Sequence, residues 1–360
     1  MTTLTFRRVE SVTLDEMAFL SLPHAIYPPE YWTEDASEIQ TLIAGTHPLS
    51  SRHEFEAWVA YKGDEIVLRA ALTWPHADDT CVYLGYFESL YNDFELFQAF
   101  MNHLDQVAKS RGAQRMIGPI QASFWVSYRM LLSGYEDTPF TGEPYNPPYY
   151  PVLWEAVGFE LTERYLSNFF KRIEAVGPHQ RLSKRYQQFL DKGLTFKDAK
   201  AKEWEAILPQ VYQLLSELYK GFPLFEAITY VEFKQIFKDY QQILDFTMVK
   251  LAYDQARLVG FVITVPDYGN LVYGSLNPLT LLRILRIRHK AERYTVMYLG
   301  VDEDYLGLGS ALTHLIYQAI EKRSAYAVAG MIHHTKVTKN YLPDMQTKQH
   351  HYGIFERTLQ

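Results

Sequence analysis

The chain has 360 residues, of which 48% are hydrophobic and 21% charged, a composition that excludes a disordered or fibrous protein. Its net charge of −7 is unfavourable for a nucleic-acid surface, so we expect no nucleic-acid partner. There is no apolar run long enough for a membrane span, no basic-then-apolar signal at the N-terminus and only one cysteine, Cys81; these features predict a cytoplasmic protein without intrachain disulfides.

The first half of the sequence predicts a mixed set of strands and helices. In chain order they are a strand over residues 4–9, a helix over 14–22, hairpin strands over 55–61 and 65–74, a strand over 80–87 and a helix over 94–110. The loop before the last of these helices, Ser89-Leu-Tyr-Asn-Asp93, contains no glycine. Its bulky side chains would fill the concavity that a bound pyrophosphate needs.

The second half repeats this order, which predicts two domains of similar fold. Its elements are a polar helix over 180–192, a strand over 194–197, helices over 204–218 and 230–240, hairpin strands over 247–253 and 258–265, a strand over 294–301, a helix after Gly309, a strand over 325–331, a further helix, and a strand over 351–356.

The segment from Asp304 to Gly309 predicts a phosphate-binding turn between a strand and a helix. Gly307 and Gly309 place no Cβ in the turn, so successive N–H groups can point into one concavity at the positive end of the helix dipole. A dinucleotide-binding fold does not fit, because the third glycine is missing and the turn lies about fifty residues from the C-terminus. An ordinary glycine turn is the remaining alternative.

This turn resembles the acyl-CoA loop of the GNAT N-acetyltransferases, which follows a strand with Gln/Arg-x-x-Gly-x-Gly/Ala and a helix. Nearly the whole chain is similar to bacterial tandem-GNAT proteins of uncharacterised substrate, with Pro144-Tyr-Asn-Pro-Pro-Tyr-Tyr150 as the most specific segment. The resemblance implies an α/β fold of two tandem GNAT domains, each a mixed, mostly antiparallel sheet flanked by helices. We expect a degenerate domain over 1–175, a connector over 176–193 and a domain with the acyl-CoA loop over 194–360.

The implied activity is transfer of an acyl group from acyl-CoA to an amine of a small molecule or peptide, with acetyl-CoA or CoA as the cofactor and no metal. Expected cofactor-binding residues are Leu299, Gly300, Val301, Tyr305, Leu306, Gly307, Leu308, Gly309 and Ser310. Candidate catalytic residues are His333, His334 and Tyr341. Candidate substrate-binding residues are Asp267, Asn270, Tyr145, Asn146, Tyr149 and Tyr150.

Two departures from the family pattern leave alternatives open. Asp304 stands where the family has Gln or Arg, and His333-His334 stand where it has an acidic residue and Asn. A CoA-binding protein without catalysis is therefore one alternative, and an aminoacyl-tRNA-dependent transferase is another, although the acidic net charge disfavours it. The basic stretch over 283–293 could attract phosphates, with a solvated helix face as the favoured interpretation.

Overall fold

The computed structural model describes residues 4–174, 179–273 and 277–359, which group into two compact units. The first unit holds residues 4–164, 272–273 and 351–359, and the second holds the other described residues between 165 and 350. The sequence-based boundaries differ, since they place all of 194–360 in one domain. The predicted division into domains over 1–175 and 194–360 stays a prediction. Residues 176–178 of the expected connector lie outside the described residues.

The first unit contains all elements up to the start of β9. Its helices are α1 (Leu14–Ile26), α2 (Ala36–Ile43), α3 (Phe94–Ser110) and α4 (Tyr150–Ala156). Its strands are β1 (Leu4–Arg8), β2 (His53–Lys62), β3 (Glu65–Pro75), β4 (Cys81–Ser89), β5 (Arg115–Gly118), β6 (Ile120–Gln121), β7 (Ser127–Tyr128) and β8 (Met130–Ser133), with the first residues of β9 (Glu160–Phe170) and, from the far end of the chain, the last residues of β15 (Gln346–Thr358).

The sheet of the first unit runs in the order β1-β2-β3-β4-β5-β15, and every pair in it is antiparallel except β4–β5. Buried residues of β3, β4 and α3 form its main core, and Phe355 of β15 belongs to the same cluster. The helix α3 buries Phe97, Phe100, Met101 and Leu104, whose spacing places them on one face.

The second unit contains the remaining elements. Its helices are α5 (Gln180–Asp191), α6 (Trp204–Tyr219), α7 (Tyr230–Ile236), α8 (Pro278–His289) and α9 (Leu308–Glu321). Its strands are the later part of β9, β10 (Thr195–Asp198), β11 (Val249–Asp254), β12 (Arg257–Pro266), β13 (Arg293–Val301), β14 (Tyr326–His333) and the first part of β15.

The sheet of the second unit runs in the order β9-β14-β13-β12-β11-β10, and β13–β14 is the parallel pair. The core lies between this sheet and α9, which buries most of its length. Both units thus have the mixed, mostly antiparallel sheet with flanking helices that the sequence predicts. Within the described residues, no helix is both long and apolar enough to cross a membrane.

Seven elements were not predicted, and one prediction was wrong. The helices α2 and α4 and the strands β5, β6, β7, β8 and β9 are additional to the predicted set. The helix α8 covers part of the basic stretch over 283–293, for which a helix face was the favoured interpretation. The helix expected between β14 and the last strand is absent from the described residues there, which form only two short 3-10 turns, Val337–Asn340 and Pro343–Met345. Pro343 lacks a backbone N–H, and Leu342 before it adopts a left-handed conformation, so this segment cannot continue as an α-helix.

Candidate functional site

The strand β13 leads through a tight turn into α9. Gly307 is the N-cap of this helix, with φ of 93°, a conformation that glycine adopts at little cost. Asp302 holds the turn together: its N–H donates to the Val259 carbonyl (2.9 Å), its carbonyl accepts from the Tyr305 N–H (3.0 Å), and its Oδ1 accepts from the Asp304 N–H (3.1 Å). The turn is therefore shaped without any contribution from a bound ligand.

The helix α9 begins without a side-chain cap. The N–H groups of Leu308 and Ser310 donate to carbonyls within the turn, at 3.0 and 3.1 Å. Those of Leu306, Gly307 and Gly309 find no acceptor anywhere in residues 4–174, 179–273 or 277–359. Unsatisfied donors at a helix N-terminus favour an anion, because the helix dipole adds positive potential at the same point. Only some of the expected loop residues therefore offer backbone donors.

A basic side chain from outside the turn lies against it. Arg185 belongs to α5, and its Cζ and Nε atoms are each 3.6 Å from the position that a Cβ on Gly307 would take. Its Nη1 also donates to Gln188 Oε1 (3.1 Å). Sequence reasoning missed this residue; the available signal was its position beside Leu182 and Phe189, which mark the buried face of α5.

The strands β13 and β14 separate beside the turn. Their parallel pairing covers four residues of each strand and ends at Val296 and Ala329. On its other side β13 pairs with β12 from Tyr294 to Val301, with an irregularity that leaves Met297 outside the register. Among the described residues, positions 299–301 are not paired with β14. This stretch, which includes the predicted Leu299 and Val301, presents one backbone edge to an extended ligand.

Packing accounts for Gly300 without a cofactor. A Cβ there would come within 2.6 Å of Phe261 Cε1 and 2.9 Å of Leu218 Cδ1. The Phe261 ring therefore favours glycine at this position. The predicted Tyr305 also has a structural partner, because its hydroxyl donates to Asp254 Oδ2 (2.6 Å) and ties the turn to β11.

The candidate catalytic residues occupy two places. His333 is buried at the end of β14, with Nδ1 2.7 Å from Thr335 Oγ1 and its ring 5.0 Å from that of Tyr165. His334 is exposed, and its ring centroid is 4.5 Å from that of His333. The Tyr341 hydroxyl lies 3.0 Å from the position of a Cβ on Gly309, at the first turn of α9. The structure thus places Tyr341, and not the histidines, directly at the glycine turn.

Solved structures share this architecture over the full length of the chain. A tandem GNAT protein from the clavulanic acid biosynthesis pathway matches with a TM-score of 0.55 and 10% identity, over 99% of each chain. A GCN5-related N-acetyltransferase from Sphaerobacter thermophilus matches with a TM-score of 0.55 and 12% identity, over 99% of this chain and 96% of its own. This chain has a tandem GNAT-type fold.

A third such structure, a GCN5-related N-acetyltransferase from Kribbella flavida, has a TM-score of 0.51 and 10% identity over 99% of this chain and 72% of its own. No protein-family model and no curated protein matches the sequence. At these identities the similarity establishes the fold, and the activity has to be argued from the residues.

In the first GNAT-type unit, the N-terminus of the corresponding helix α3 is capped by a side chain. The N-cap of α3 is Asp93, whose Oδ1 accepts from the N–H groups of Glu95 (3.0 Å) and Leu96 (3.2 Å). A carboxylate thus already occupies the anion position. A Cβ on Gly85 of β4 would lie 2.1 Å from the Ile120 carbonyl oxygen, so the chain's own backbone fills the space beside β4. Both features agree with the expectation that the first unit is degenerate, and its lack of CoA binding stays a prediction.

The candidate substrate-binding residues of the first unit form hydrogen bonds within that unit. Asn146 is buried and bonds both the N–H (2.7 Å) and the carbonyl (3.2 Å) of Leu131. The Tyr150 hydroxyl, also buried, donates to Glu88 Oε2 (2.7 Å). Tyr149 and Tyr145 donate to the carbonyls of Ser89 and Tyr135, each at 2.9 Å. These contacts explain the four residues structurally, and their proposed contact with substrate stays a prediction.

Burial perturbs the acid at the centre of that cluster. Desolvation raises the pKa of Glu88 to about 7, although the nearby guanidinium of Arg69 opposes the shift. Tyr27 and Tyr150 both donate to Glu88 Oε2, at 2.5 and 2.7 Å. Burial and the adjacent carboxylate in turn raise the pKa of both phenols.

The two substrate candidates of the second unit follow β12. Asp267 pairs with Arg293, at the opposite end of β13 from the glycine turn, and its Oδ1 accepts from the Gly269 N–H (3.0 Å). Asn270 lies half-buried three residues later. Asp267 therefore belongs to a different part of the unit from the predicted cofactor residues.

Proposed function

We propose that the second unit binds acyl-CoA at the Gly307–Gly309 turn and transfers the acyl group to an amine. The observation that carries this proposal is the glycine N-cap of α9, which leaves backbone donors unsatisfied near residues 299–301 of β13, a stretch that does not pair with β14. The GNAT-type fold and the names of its structural neighbours support the same class of reaction.

The chain offers distinct groups to each part of the cofactor. The N–H groups of Leu306, Gly307 and Gly309 would hold the pyrophosphate, with Arg185 supplying a positive charge from the side. The backbone of β13 over 299–301 would pair with the amides of the extended arm. When bound, acyl-CoA supplies the activated thioester, and the protein supplies position and electrostatic stabilisation.

Two side chains are suited to moving protons. In the tautomer in which His333 Nδ1 donates to Thr335, the proton-accepting lone pair is on Nε2, so His333 can take the proton that the attacking amine must lose. Tyr341 places its hydroxyl at the first turn of α9 and is the candidate donor to the leaving thiolate. A backbone N–H of β13 within 299–301 would polarise the carbonyl that is attacked. The acceptor is an amine of a small molecule or peptide.

The test compares two glycine variants in calorimetric titrations with CoA. Gly307→Ala and Gly193→Ala replace glycines of similar left-handed conformation, with φ of 93° and 88°, in the same unit. Both variants should lose about 1 kcal/mol of stability. Gly307→Ala should also weaken CoA binding at least tenfold, whereas Gly193→Ala should bind as the wild type does. Equal affinities in all three proteins would refute the assignment of the turn.

Turnover separates transfer from mere binding. The wild-type protein is incubated with acetyl-CoA and pools of primary amines, and products are searched by mass spectrometry for an added acetyl group. Tyr341→Phe removes the proposed proton donor and should reduce turnover more than it reduces CoA affinity. CoA binding without any acylated product would favour the non-catalytic alternative, and absence of CoA binding would reopen the aminoacyl-tRNA alternative.

A further inference from the structure

A cavity of about 660 Å³ opens in the second unit at the N-terminal ends of β13 and β14. Arg293, the first residue of β13, lines it, together with Tyr326 and Ala327 at the start of β14. The glycine turn follows the other end of β13, about 26 Å away at 3.3 Å per residue. The cavity is therefore separate from the proposed acyl-transfer site, and its volume is in the range of small-molecule sites.

The walls of this cavity are mainly cationic. Arg286 lies in the last turn of α8, Lys290 is the residue directly after this helix, and Lys348 comes from β15. Arg293 is neutralised by its ion pair with Asp267. With the carboxylate of Glu292 at the rim, the lining keeps an excess of two positive charges, in a chain whose net charge is −7.

The floor of the cavity is apolar and aromatic. Phe169 and Phe170 of β9 line it, and the Lys348 ammonium lies 4.8 Å from the centroid of the Phe169 ring. Ile287 and the half-exposed ring of Tyr326 extend the apolar surface towards α8. The cavity thus combines apolar and aromatic lining residues with guanidinium and ammonium groups.

We infer that this cavity binds an organic phosphomonoester with an aromatic or other apolar body. A phosphomonoester carries close to two negative charges at neutral pH, since its second pKa is about 6, and this charge balances the excess of the lining. Guanidinium groups such as that of Arg286 bind phosphate oxygens in bidentate fashion. The apolar body would lie against apolar lining residues such as Ile287 and the exposed Tyr326. This site is independent of the proposed acyltransferase activity.

The test is a calorimetric titration of the full-length protein with phenyl phosphate, inorganic phosphate and phenol. Phenyl phosphate should bind with one site per chain and at least tenfold more tightly than either fragment. Arg286→Glu and Lys290→Glu should each weaken phenyl phosphate binding at least tenfold. Arg283→Glu is the matched control, because it makes the same charge change one turn earlier on α8 at an exposed residue that does not line the cavity.

Melting curves confirm that each variant remains folded, and CoA titrations confirm that Arg286→Glu leaves the glycine turn unaffected. The inference is overturned if phenyl phosphate shows no saturable binding up to about 10 mM, a limit that corresponds to less than about 3 kcal/mol of binding free energy. Equal losses in Arg283→Glu and Arg286→Glu would also overturn it, because they would indicate a diffuse charge effect. So would a loss of phenyl phosphate binding in Gly307→Ala, because it would place the ligand at the turn.

Discussion

Arg185 gives the sharpest test of the glycine turn, because its side chain belongs to a different helix and can be changed without altering the turn itself. Its guanidinium carbon lies 3.6 Å from the Cβ position of Gly307, beside the unsatisfied N–H groups of the α9 N-terminus. Arg185→Gln removes the positive charge but keeps a polar side chain. We expect CoA to bind more weakly to this variant.

The expected loss follows from the exposure of Arg185. A hydrogen bond to a charged group contributes about 1.5–3 kcal/mol, but an exposed ion pair contributes only about 0.2–1 kcal/mol. Because Arg185 is exposed, we expect a loss of about 1 kcal/mol, or roughly a fivefold increase in Kd. Salt should reduce this difference, since the screening length falls from about 10 Å at 0.1 M to about 3 Å at 1 M.

The assay is calorimetric titration of CoA into the wild type, Arg185→Gln and Lys184→Gln at both salt concentrations. Lys184 is exposed on the same helix, one residue earlier and thus about 100° around the helix axis. Lys184→Gln should bind CoA as the wild type does. Equal Kd values for Arg185→Gln and the wild type at low salt would refute the reasoning, as would equal losses in the two variants.

Three further predictions concern carboxylates. Asp304→Gln should tighten CoA binding by about 0.5–1.5 kcal/mol at low salt and by less at high salt, because Asp304 is exposed and the turn is held by Asp302; weaker calorimetric binding would contradict this. Since the pKa of Glu88 in the folded state, about 7, exceeds its usual 4.5, wild-type stability should be lost as pH rises through this window. In urea unfolding, the free energy of unfolding of Glu88→Gln should fall with rising pH by up to about 3 kcal/mol less than that of the wild type. Parallel pH profiles of the two proteins would refute this prediction. Asp93→Ala should lower the free energy of unfolding by about 1 kcal/mol without changing CoA affinity. Unchanged stability would contradict a stabilising role of Asp93 as the N-cap of α3.

Local patterns were sufficient to predict most of the sheet and the long helices. The range 94–110 was predicted from its apolar spacing, and it coincides with α3. The glycine turn was predicted because strand, turn and helix are adjacent in sequence. The fold class was implied by the family resemblance, which the order of such elements supported, and the full-length structural neighbours confirm it.

Local sequence features explain why some elements were missed or only partly predicted. In α4 the helix begins inside a proline-rich segment, with Pro151 in its first turn, where a proline costs little. In α8 four leucines remain exposed, so the apolar spacing that normally reveals a buried face is obscured. The pairing of residues 351–358 with β5 and β8 depends on partners more than 200 residues earlier, which no local pattern specifies.

The candidate site shows the same limit. Gly307 and Gly309 are visible in the sequence because the turn needs their conformational freedom and small size. Arg185 is not visible, because its approach to the turn depends on how α5 packs against α9. Gly300 was assigned to cofactor binding, yet the packing of Phe261 already favours it. A sequence motif thus identifies where a ligand could bind more readily than which neighbouring side chains would hold it.

The two units answer one physical requirement in opposite ways. Every α-helix begins with backbone N–H groups that need an acceptor, and α3 supplies its own through the carboxylate of Asp93. This cap stabilises the helix, but it also places a negative charge where a phosphate would lie. The helix α9 has Gly307 at the equivalent position and no side-chain cap. It therefore lacks the stabilisation that a cap provides, and its first backbone N–H groups remain available to a ligand. A helix terminus left uncapped in this way stabilises the fold less than a capped one and binds an anion better, and that difference is the physical basis for assigning CoA to the second unit.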